Sequence, residues 1–382
     1  MVLNNLRLAL TGQPVSISVK DGKIAQILPG DLHEKTDQPD LSFDNAIIFP
    51  GLVNSHDHLD FNLFPALGYR TYASYTEWGQ YIHKHYKQEI KSILRIPETL
   101  REEWGIYKNL LCGVTTVVNH GKKINIASRL ISIYEDCQCI HSVGFGKNWR
   151  LALNDPLKRK LKAVIHCGEG IDRASSKEIN KLISWNLLKR PLIAVHGVAM
   201  NETQAKGFRA LVWCPESNYF LLDQTAPVKR LKNHSCILFG TDSTLTGNWN
   251  IWDHLRLARK TRFLTDQELY DTLTVNAAMT WELDNGEITE GKDADLVIAK
   301  AKAGHVDADA FFATDPQDIL LVVHQGNIRL FDEMLLPQLK SLNIDEYSRV
   351  EVDGTGKYVQ GNLPLLMQQI NQYYPETPFP VL

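Results

Sequence analysis

The feature that most constrains this chain is a series of short apolar segments, separated by amphipathic helical patterns, between residues 52 and 241. The intervening helices carry start signals, such as the Ser/Thr-x-x-Glu capping boxes at 175–178 and 265–268. Strands that alternate with helices in this way form parallel β/α units. The predicted strands are 52–58, 115–120, 139–143, 164–166, 193–196, 211–214 and 237–241.

The number of strands decides whether these units can close into a barrel. A barrel of this type has eight strands, and the segments above number seven. We therefore expect the eighth strand at 149–153, although this stretch is short for a complete β/α unit. The prediction is an α/β protein with a (β/α)8 TIM-like barrel over residues 51–285.

The two ends of the chain have a different pattern, with short alternating strands and Gly or Asp turns. Residues 15–19 (VSISV) alternate before the turn at 20–23, and similar strands return between 286 and 332. We expect residues 1–50 and 286–332 to build one small β-sandwich domain beside the barrel. Residues 333–382 are predicted to be a helical or irregular C-terminal extension, with a helix over 363–373.

Composition excludes several classes of protein. Among 382 residues, 41 Lys and Arg face 44 Asp and Glu, which argues against a nucleic-acid groove. No run approaches the ~18 apolar residues of a membrane span, and the first residues lack a secretory signal pattern. Six cysteines without CxxC spacing indicate reduced thiols, so we expect a cytoplasmic protein. The sequence leaves open whether the protein forms a homo-oligomer.

Potential metal ligands stand at the ends of several predicted strands. His56 and His58 are two residues apart, so on a strand both rings point to one face. Alone, this HxH pattern is more typical of a pair of strand-end histidines near the surface. Other strands, however, end in His166, His196 and Asp242, where an unpaired polar group in an apolar run would be costly. Nitrogen and carboxylate donors without thiolate suit Zn²⁺, with Fe²⁺ or Mn²⁺ as alternatives.

At this point the chain resembles the amidohydrolase superfamily, within it the cytosine deaminase, guanine deaminase and chlorohydrolase-like branch. The matching pieces run in the family's order and together cover most of the chain. They are 49–58 (FPGLVNSHDH), 113–117 (GVTTV), 166–169 (HCGE), 196–197 (HG), 214–218 (CPESN), 240–242 (GTD), 274–278 (TVNAA) and 291–295 (GKDAD).

The resemblance implies one divalent ion and a catalytic set around it. The implied metal ligands are His56, His58, His166 and Asp242. Glu169 would carry a proton to the leaving nitrogen, Asp242 would accept one from the attacking water, and His196 would position the attacked group or the water. Relatives with two ions bridge them by a lysine or glutamate on the fourth strand, and 149–153 offers neither.

Four further residues are tentative substrate contacts: His120, Trp213, Glu216 and Asn218. His120 ends the second strand, and a substrate contact and a structural role are equally compatible with its position. Trp213 stands where relatives often have histidine. Glu216 and Asn218 follow the seventh strand, and a role in organising that loop is favoured for Asn218.

The predicted function is a metal-dependent hydrolase of a non-peptide carbon–nitrogen bond that acts on a small molecule. Hydrolytic deamination of a heterocyclic amine by a metal-activated water is favoured. The alternatives are hydrolysis of a cyclic or linear amide, and dechlorination, on the same site. A catalytically inactive binding module is less favoured, because such proteins lose ligands that this chain keeps.

Overall fold

The computed structural model describes residues 1–30, 39–124, 126, 129–375 and 377–382. The strands are β1 (Val2–Leu8), β2 (Pro14–Lys20), β3 (Lys23–Leu28), β4 (Asp40–Pro50), β5 (Leu52–Asp57), β6 (Val114–Asn119), β7 (Ser132–Tyr134), β8 (Cys137–Ser142), β9 (Lys162–Cys167), β10 (Leu192–His196), β11 (Ala210–Trp213), β12 (Cys236–Phe239), β13 (Leu296–Lys300), β14 (Ile319–His324), β15 (Asn327–Asp332), β16 (Tyr347–Val352) and β17 (Thr355–Gln360). The helices are α1 (Tyr75–His85), α2 (Lys87–Leu94), α3 (Glu98–Leu111), α4 (Trp149–Leu153), α5 (Arg173–Trp185), α6 (Glu202–Ala205), α7 (Pro215–Leu222), α8 (Val228–Leu231), α9 (Ile251–Thr261), α10 (Asp266–Asp271), α11 (Val275–Trp281), α12 (Asp307–Phe312) and α13 (Leu363–Asn371).

The strands from β5 to β12 are the parallel segments of a TIM-like barrel. Strands β5 to β7 form one parallel sheet, and β8 to β12 form another in sequence order. A parallel bridge between Asp57 and Asp242 joins β5 to the end of β12. This arrangement confirms the predicted fold class.

The region between β6 and β9 differs from the prediction. The strand expected at 149–153 is wrong, because this segment is the helix α4. Trp149 and Leu153 are buried while Leu151 between them is exposed, which suits a helix, because on a strand all three side chains would share one face. The eighth segment is instead β7, which is short and only half-buried.

Strands β7 and β8 follow each other after only two residues. Parallel neighbours in a sheet need a crossover of about a dozen residues. The two segments are therefore one bent path, which pairs first with β6 and then with β9. The barrel wall therefore passes from β6 to β9 through this bent segment, with no helix between β7 and β8.

Both ends of the chain contribute to one nine-stranded sheet, with the order β16-β17-β15-β14-β13-β4-β1-β2-β3. At its centre β4 pairs antiparallel with β13, and Ile48 lies opposite Ile298. One face of the sheet builds a separate core around Ile48 and Ile298. The other face, with Phe49 and Val297, belongs to the core shared with the barrel. The domain boundaries given above stay a prediction.

The C-terminal segment contains more structure than the expected helical or irregular extension. The helix is present as α13, but β16 and β17 also form a hairpin that extends the large sheet beside β15. The signal was in the sequence, since residues 347–352 alternate and Asp353-Gly354 is a tight-turn dipeptide. Within the described residues, no helix combines the length and apolar character that a membrane crossing requires.

Candidate metal centre and cavity

The alternation of β5 separates the side chains of its last residues into two groups. His56 and His58 point into the barrel mouth, where their ring centroids lie 5.0 Å apart. Asp57 points to the opposite side and accepts hydrogen bonds from Lys108 Nζ at 3.0 Å and Asn109 Nδ2 at 2.7 Å. The HxH pattern therefore brings two imidazoles together, and the intervening aspartate serves the packing of α3.

Three imidazoles and one carboxylate from different strands converge at this mouth. His166 Nε2 lies 3.2 Å from His56 Nε2 and 3.4 Å from His58 Nε2. Asp242 Oδ1 lies 3.6 Å from His56 Nε2 and 3.6 Å from His58 Nε2. With metal–nitrogen bonds of ~2.0–2.1 Å, donor atoms around a tetrahedral ion stand about 3.3 Å apart. These four distances are close to the donor spacing around a divalent ion.

Hydrogen bonds behind the donor atoms orient two of these side chains. His166 Nδ1 donates a hydrogen bond to the carbonyl oxygen of His141 at 2.6 Å. The lone pair of His166 Nε2 is then available for a metal ion. Asp242 Oδ2 accepts from Ser217 Oγ at 2.8 Å and from Thr246 Oγ1 at 2.9 Å, which leaves Oδ1 facing the histidines. Asp242 also has a left-handed backbone, with φ of 59°, a strained conformation found at functional sites.

The protonation states in this cluster suit a cation. Burial lowers the pKa of His58 to about 4 and that of His166 well below its usual value. Burial would raise the pKa of Asp242, but the hydrogen bond with His56 and the charges of the neighbouring rings hold it well below its usual range. Neutral imidazoles and an ionised carboxylate are the forms that bind metal.

Unpartnered nitrogen atoms provide a separate test of whether a metal ion fits. Among the described residues, His56 Nδ1 and both ring nitrogens of His120 are buried without a hydrogen-bond partner. Buried polar atoms in folded proteins normally have a partner. The trio His56, His120 and His166, and the trio His56, His58 and Asp242, each bring ligand atoms within 4.8 Å of one another. The donor set fits a divalent ion.

A cavity of about 440 Å³ opens above the cluster. Its polar end is formed by His58, His141, His166, Glu169, His196, Asp242, Ser243 and Thr246. Most of the remaining wall is apolar or aromatic, and it includes Phe61, Phe64, Tyr75, Trp78, Ile82, Ile90, Leu94, Phe145 and Leu245. Much of this wall comes from α1 and α2, the helices inserted between β5 and β6.

Glu169 lies at the polar end of the cavity, two residues after β9. Its Oε2 atom is 3.6 Å from His196 Nε2. Burial raises the pKa of Glu169 well above its usual value, and the charges of Asp242 and Glu178 add to the effect. A carboxyl group whose pKa is raised by burial can act as the acid that delivers a proton to a leaving group.

A chain of hydrogen bonds orients His196. Trp213 Nε1 donates to Thr225 Oγ1 at 2.6 Å, and Thr225 Oγ1 donates to Asn218 Oδ1 at 3.2 Å. Asn218 Nδ2 then donates to His196 Nδ1 at 2.9 Å. Because tryptophan can only donate, the Thr225 hydroxyl proton is free to reach Asn218 Oδ1. With Asn218 Nδ2 donating to His196 Nδ1, the proton of the neutral His196 ring sits on Nε2, toward Glu169.

The structure does not bring the four tentative substrate residues to the cavity wall. Among the described residues that line the cavity, His120, Trp213, Glu216 and Asn218 are absent. Trp213 and Asn218 act through His196, as described above. Glu216 accepts from the backbone nitrogen of Asn248 at 2.8 Å and faces His254 Nε2 at 3.1 Å, so it braces a loop.

Several contributing residues were missed by the sequence reasoning. Ser217 and Thr246 hold Asp242, and Thr225 connects Trp213 to Asn218. Hydroxyl residues in loops carry no spacing that marks such a role. Ser217 could have been suspected, since it lies within the family-like stretch 214–218.

The fold and the cluster together define a class: a β/α barrel with a metal centre built at the carboxyl ends of its strands. Residues 149–329 match the model of the Amidohydrolase family. Over these residues the chain is similar to amidohydrolases, and the resemblance expected from the sequence is supported there.

Comparison with curated proteins gives relatives of low identity. A 5-methylthioadenosine/S-adenosylhomocysteine deaminase of Pyrococcus abyssi is 24% identical over 201 residues, which cover 47% of each chain. A protein of the same name from Saccharophagus degradans is 23% identical over 353 residues, 74% of this chain and 78% of that one. The chain spans about half the length of the first curated relatives it matches.

Solved structures share the fold. An adenosine deaminase from Xanthomonas campestris with bound zinc has a TM-score of 0.69 at 18% identity, and covers 98% of this chain and 97% of its own. Atrazine chlorohydrolase TrzN from Arthrobacter aurescens, complexed with zinc, has a TM-score of 0.65 at 16% identity, over 86% of this chain and 94% of its own.

Proposed function

We propose that this protein is a metal-dependent hydrolase that deaminates a heterocyclic amine with a metal-activated water. The observation that carries the proposal is the position of Glu169 and of the donor cluster at the base of one cavity. Several curated relatives are named as deaminases of adenosine-type compounds, and one is named imidazolonepropionase. Their names support the reaction class, and the substrate is argued from the cavity of this chain.

The residues of the chain divide the proposed reaction among them. A divalent ion held by His56, His58, His166 and Asp242 would supply the Lewis acid that activates water. Asp242 would accept a proton from the attacking water, and Glu169 would deliver a proton to the departing nitrogen. The Nε2 proton of His196 faces the same space and holds the attacked group in place.

The cavity wall favours a flat, uncharged substrate with apolar substituents. Beyond the polar end, the wall offers aromatic rings such as Phe61, Trp78 and Phe145 and no lysine or arginine among its described residues. A phosphate or carboxylate group on the substrate would find no lysine or arginine to pair with there, which is unfavourable. Aromatic surfaces stack well on a heterocyclic ring.

Dechlorination of a similar ring is the second candidate. The atrazine chlorohydrolase structure covers 86% of this chain with a TM-score of 0.65, and the apolar wall is compatible with a substituted triazine. The two reactions differ in their leaving group and share the same attack by water. Hydrolysis of an amide remains a further alternative on this site.

The cofactor that we propose is one divalent ion, with zinc favoured because two of the solved structures hold zinc. Fe²⁺ and Mn²⁺ suit the same donors. A cytoplasmic location, predicted from the reduced cysteines, remains a proposal. All six cysteines are free in the structure, as that prediction requires.

The test is release of product from a panel of neutral heterocycles by the zinc-loaded protein. Ammonia is measured with aminopurines, aminopyrimidines and aminotriazines, and chloride is measured with chlorotriazines. We expect ammonia release from at least one class. Release of chloride alone would favour the second candidate, and a fully metallated protein that is silent on the whole panel would contradict both.

A variant links the activity to Glu169. Glu169→Gln should keep its metal content and lose turnover by ~100-fold or more, the scale of a general acid. Glu202→Gln, at the exposed start of α6, is the matched control and should behave as the wild type. Undiminished turnover in Glu169→Gln would remove Glu169 from the mechanism.

A further inference from the structure

His120 lies among the metal-donor histidines, although the family resemblance assigns it no role. It follows β6, and its ring centroid is 5.1 Å from His56, 5.4 Å from His58 and 4.2 Å from His166. The side chain is buried, with 3% of its surface exposed. A fourth imidazole therefore belongs to the same cluster.

Neither ring nitrogen of His120 has a hydrogen-bond partner among the described residues. A neutral imidazole carries one donor and one acceptor, and leaving either unmade in a buried position is costly. In the other buried histidines of the described residues, at least one ring nitrogen has a hydrogen-bond partner. His324 Nδ1, for example, faces Asp295 Oδ1 at 2.9 Å.

Two candidates for a partner of His120 are a substrate and the metal ion. His120 does not line the cavity, whereas His58 and His166 do. A substrate in the cavity would therefore meet those two histidines and not His120. In contrast, ligand atoms of His56, His120 and His166 lie within 4.8 Å of one another, so one ion can lie close to all three.

We propose that His120 is a fifth protein ligand of the ion, which makes the donor set four imidazoles and one carboxylate. The inference rests on the metal centre of the proposed function and goes beyond its four ligands. One bond forms from a ring nitrogen of neutral His120 to the ion. This bond satisfies one of its unpartnered nitrogen atoms and raises the coordination number by one.

The direct test counts the imidazole ligands by X-ray absorption spectroscopy of the metal-loaded wild type. We expect four imidazoles, and a count of three would overturn the proposal. His120→Asn should lower the count by one and weaken metal binding by ~10-fold or more, measured by chelator competition, since even partners behind the ligands affect affinity on that scale. The Co²⁺-substituted variant should absorb more strongly in the visible than the Co²⁺ wild type.

His141→Asn is the matched control. His141 lies near the end of the neighbouring strand with its ring centroid 5.7 Å from His166, and only its backbone carbonyl supports that residue, so the variant should keep the wild-type count and affinity. Identical counts and affinities in His120→Asn and the wild type would also refute the proposal. If His120→Asn does not fold, the count in the wild type decides alone.

The same measurements separate this inference from the proposed function. Four imidazoles in a protein that releases no ammonia would leave the fifth ligand standing and reject the deamination. Three imidazoles in an active deaminase would reject only the fifth ligand. A purified protein that binds no divalent ion would overturn both.

Discussion

Asp57 shows how a charged residue between two metal-site histidines can serve stability alone. Its carboxylate is fully buried, and it is paired with Lys108, whose side chain is only 2% exposed. Asn54, Asn62 and Asn109 donate to the remaining lone pairs. A buried ion pair is costly to break, because the residual charge has no compensation.

We predict that Lys108→Met lowers the free energy of unfolding by about 3–5 kcal/mol, because it leaves the buried Asp57 side chain without its ion-pair partner. The matched control is Lys122→Met, which removes an exposed pair with Glu98 at 3.3 Å and should cost below about 1 kcal/mol. Denaturant unfolding of the three proteins measures the difference. Equal effects of the two substitutions would contradict the assignment.

Glu178 on α5 gives the stability a dependence on pH. Burial is the largest cause that raises its pKa to about 7, although the backbone nitrogen of Gly168 donates to it at 2.7 Å. The folded state thus holds this proton to higher pH than the unfolded state does. The stabilisation is fully present below the ordinary glutamate value, near pH 4.5, and is lost as pH rises toward 7.

We predict that Glu178→Gln removes the loss of unfolding free energy that the Glu178 carboxyl causes as pH rises. Relative to the variant, the wild type should lose up to ~3 kcal/mol of unfolding free energy between about pH 4.5 and pH 8, because a tenfold change in proton affinity corresponds to ~1.4 kcal/mol. Gln keeps an oxygen that can accept from Gly168. Denaturant unfolding at several pH values checks the prediction, and parallel pH profiles of the two proteins would refute it.

At the scale of elements, the orientation of His196 at the end of β10 depends on β11 and on the loop after α7. Thr225 is the hydroxyl that connects them. Thr225→Val keeps the shape and removes the relay, so the two tautomers of His196 become closer in energy. We expect kcat to fall ~10–100-fold, a fraction of the loss known for a wrong histidine tautomer, with metal content unchanged. Thr225→Ser, which restores the hydroxyl, should keep most of the wild-type rate. An undiminished rate in Thr225→Val, or an equal loss in Thr225→Ser, would contradict the relay.

The predictability of the elements follows from their length and pattern. Strands β9 to β12 were recognisable because their apolar runs end in site residues, and the capping box at Thr265 is formed as expected. Segments β7 and α4 were not, since three to five residues carry too little periodicity to distinguish strand from helix. The side chains at the barrel mouth could be predicted because they stand at the ends of strands. The cavity wall could not be predicted, because it depends on how α1 and α2 pack, and no local sequence pattern shows that packing.

At the scale of the whole molecule, barrel and sheet share one hydrophobic core. Phe49 and Val297 of the sheet pack in the same cluster as Leu52 and Trp252 of the barrel. Lys357 of the C-terminal hairpin is also buried, with its Nζ 2.6 Å from Asp332 Oδ2. Such a shared core couples the two parts energetically.

We therefore predict one cooperative unfolding transition for barrel and sheet. Calorimetry and tryptophan fluorescence should give coincident midpoints, as in a two-state system. Loading with metal should raise this single midpoint, because the ion binds the folded state. Two separated transitions, with only one of them responsive to metal, would show that the two parts unfold independently.

The pairing of β4 with β13 also sets the order in which the protein can be completed during synthesis. Ile48 pairs with Ile298, which is synthesised only after the barrel. The edge of β4 that pairs with β13 is therefore unpaired until the whole barrel has left the ribosome. Such long-range pairing folds slowly. A nascent chain of this kind has an early and lasting need for chaperone protection, and the N-terminal strands are where that protection must act.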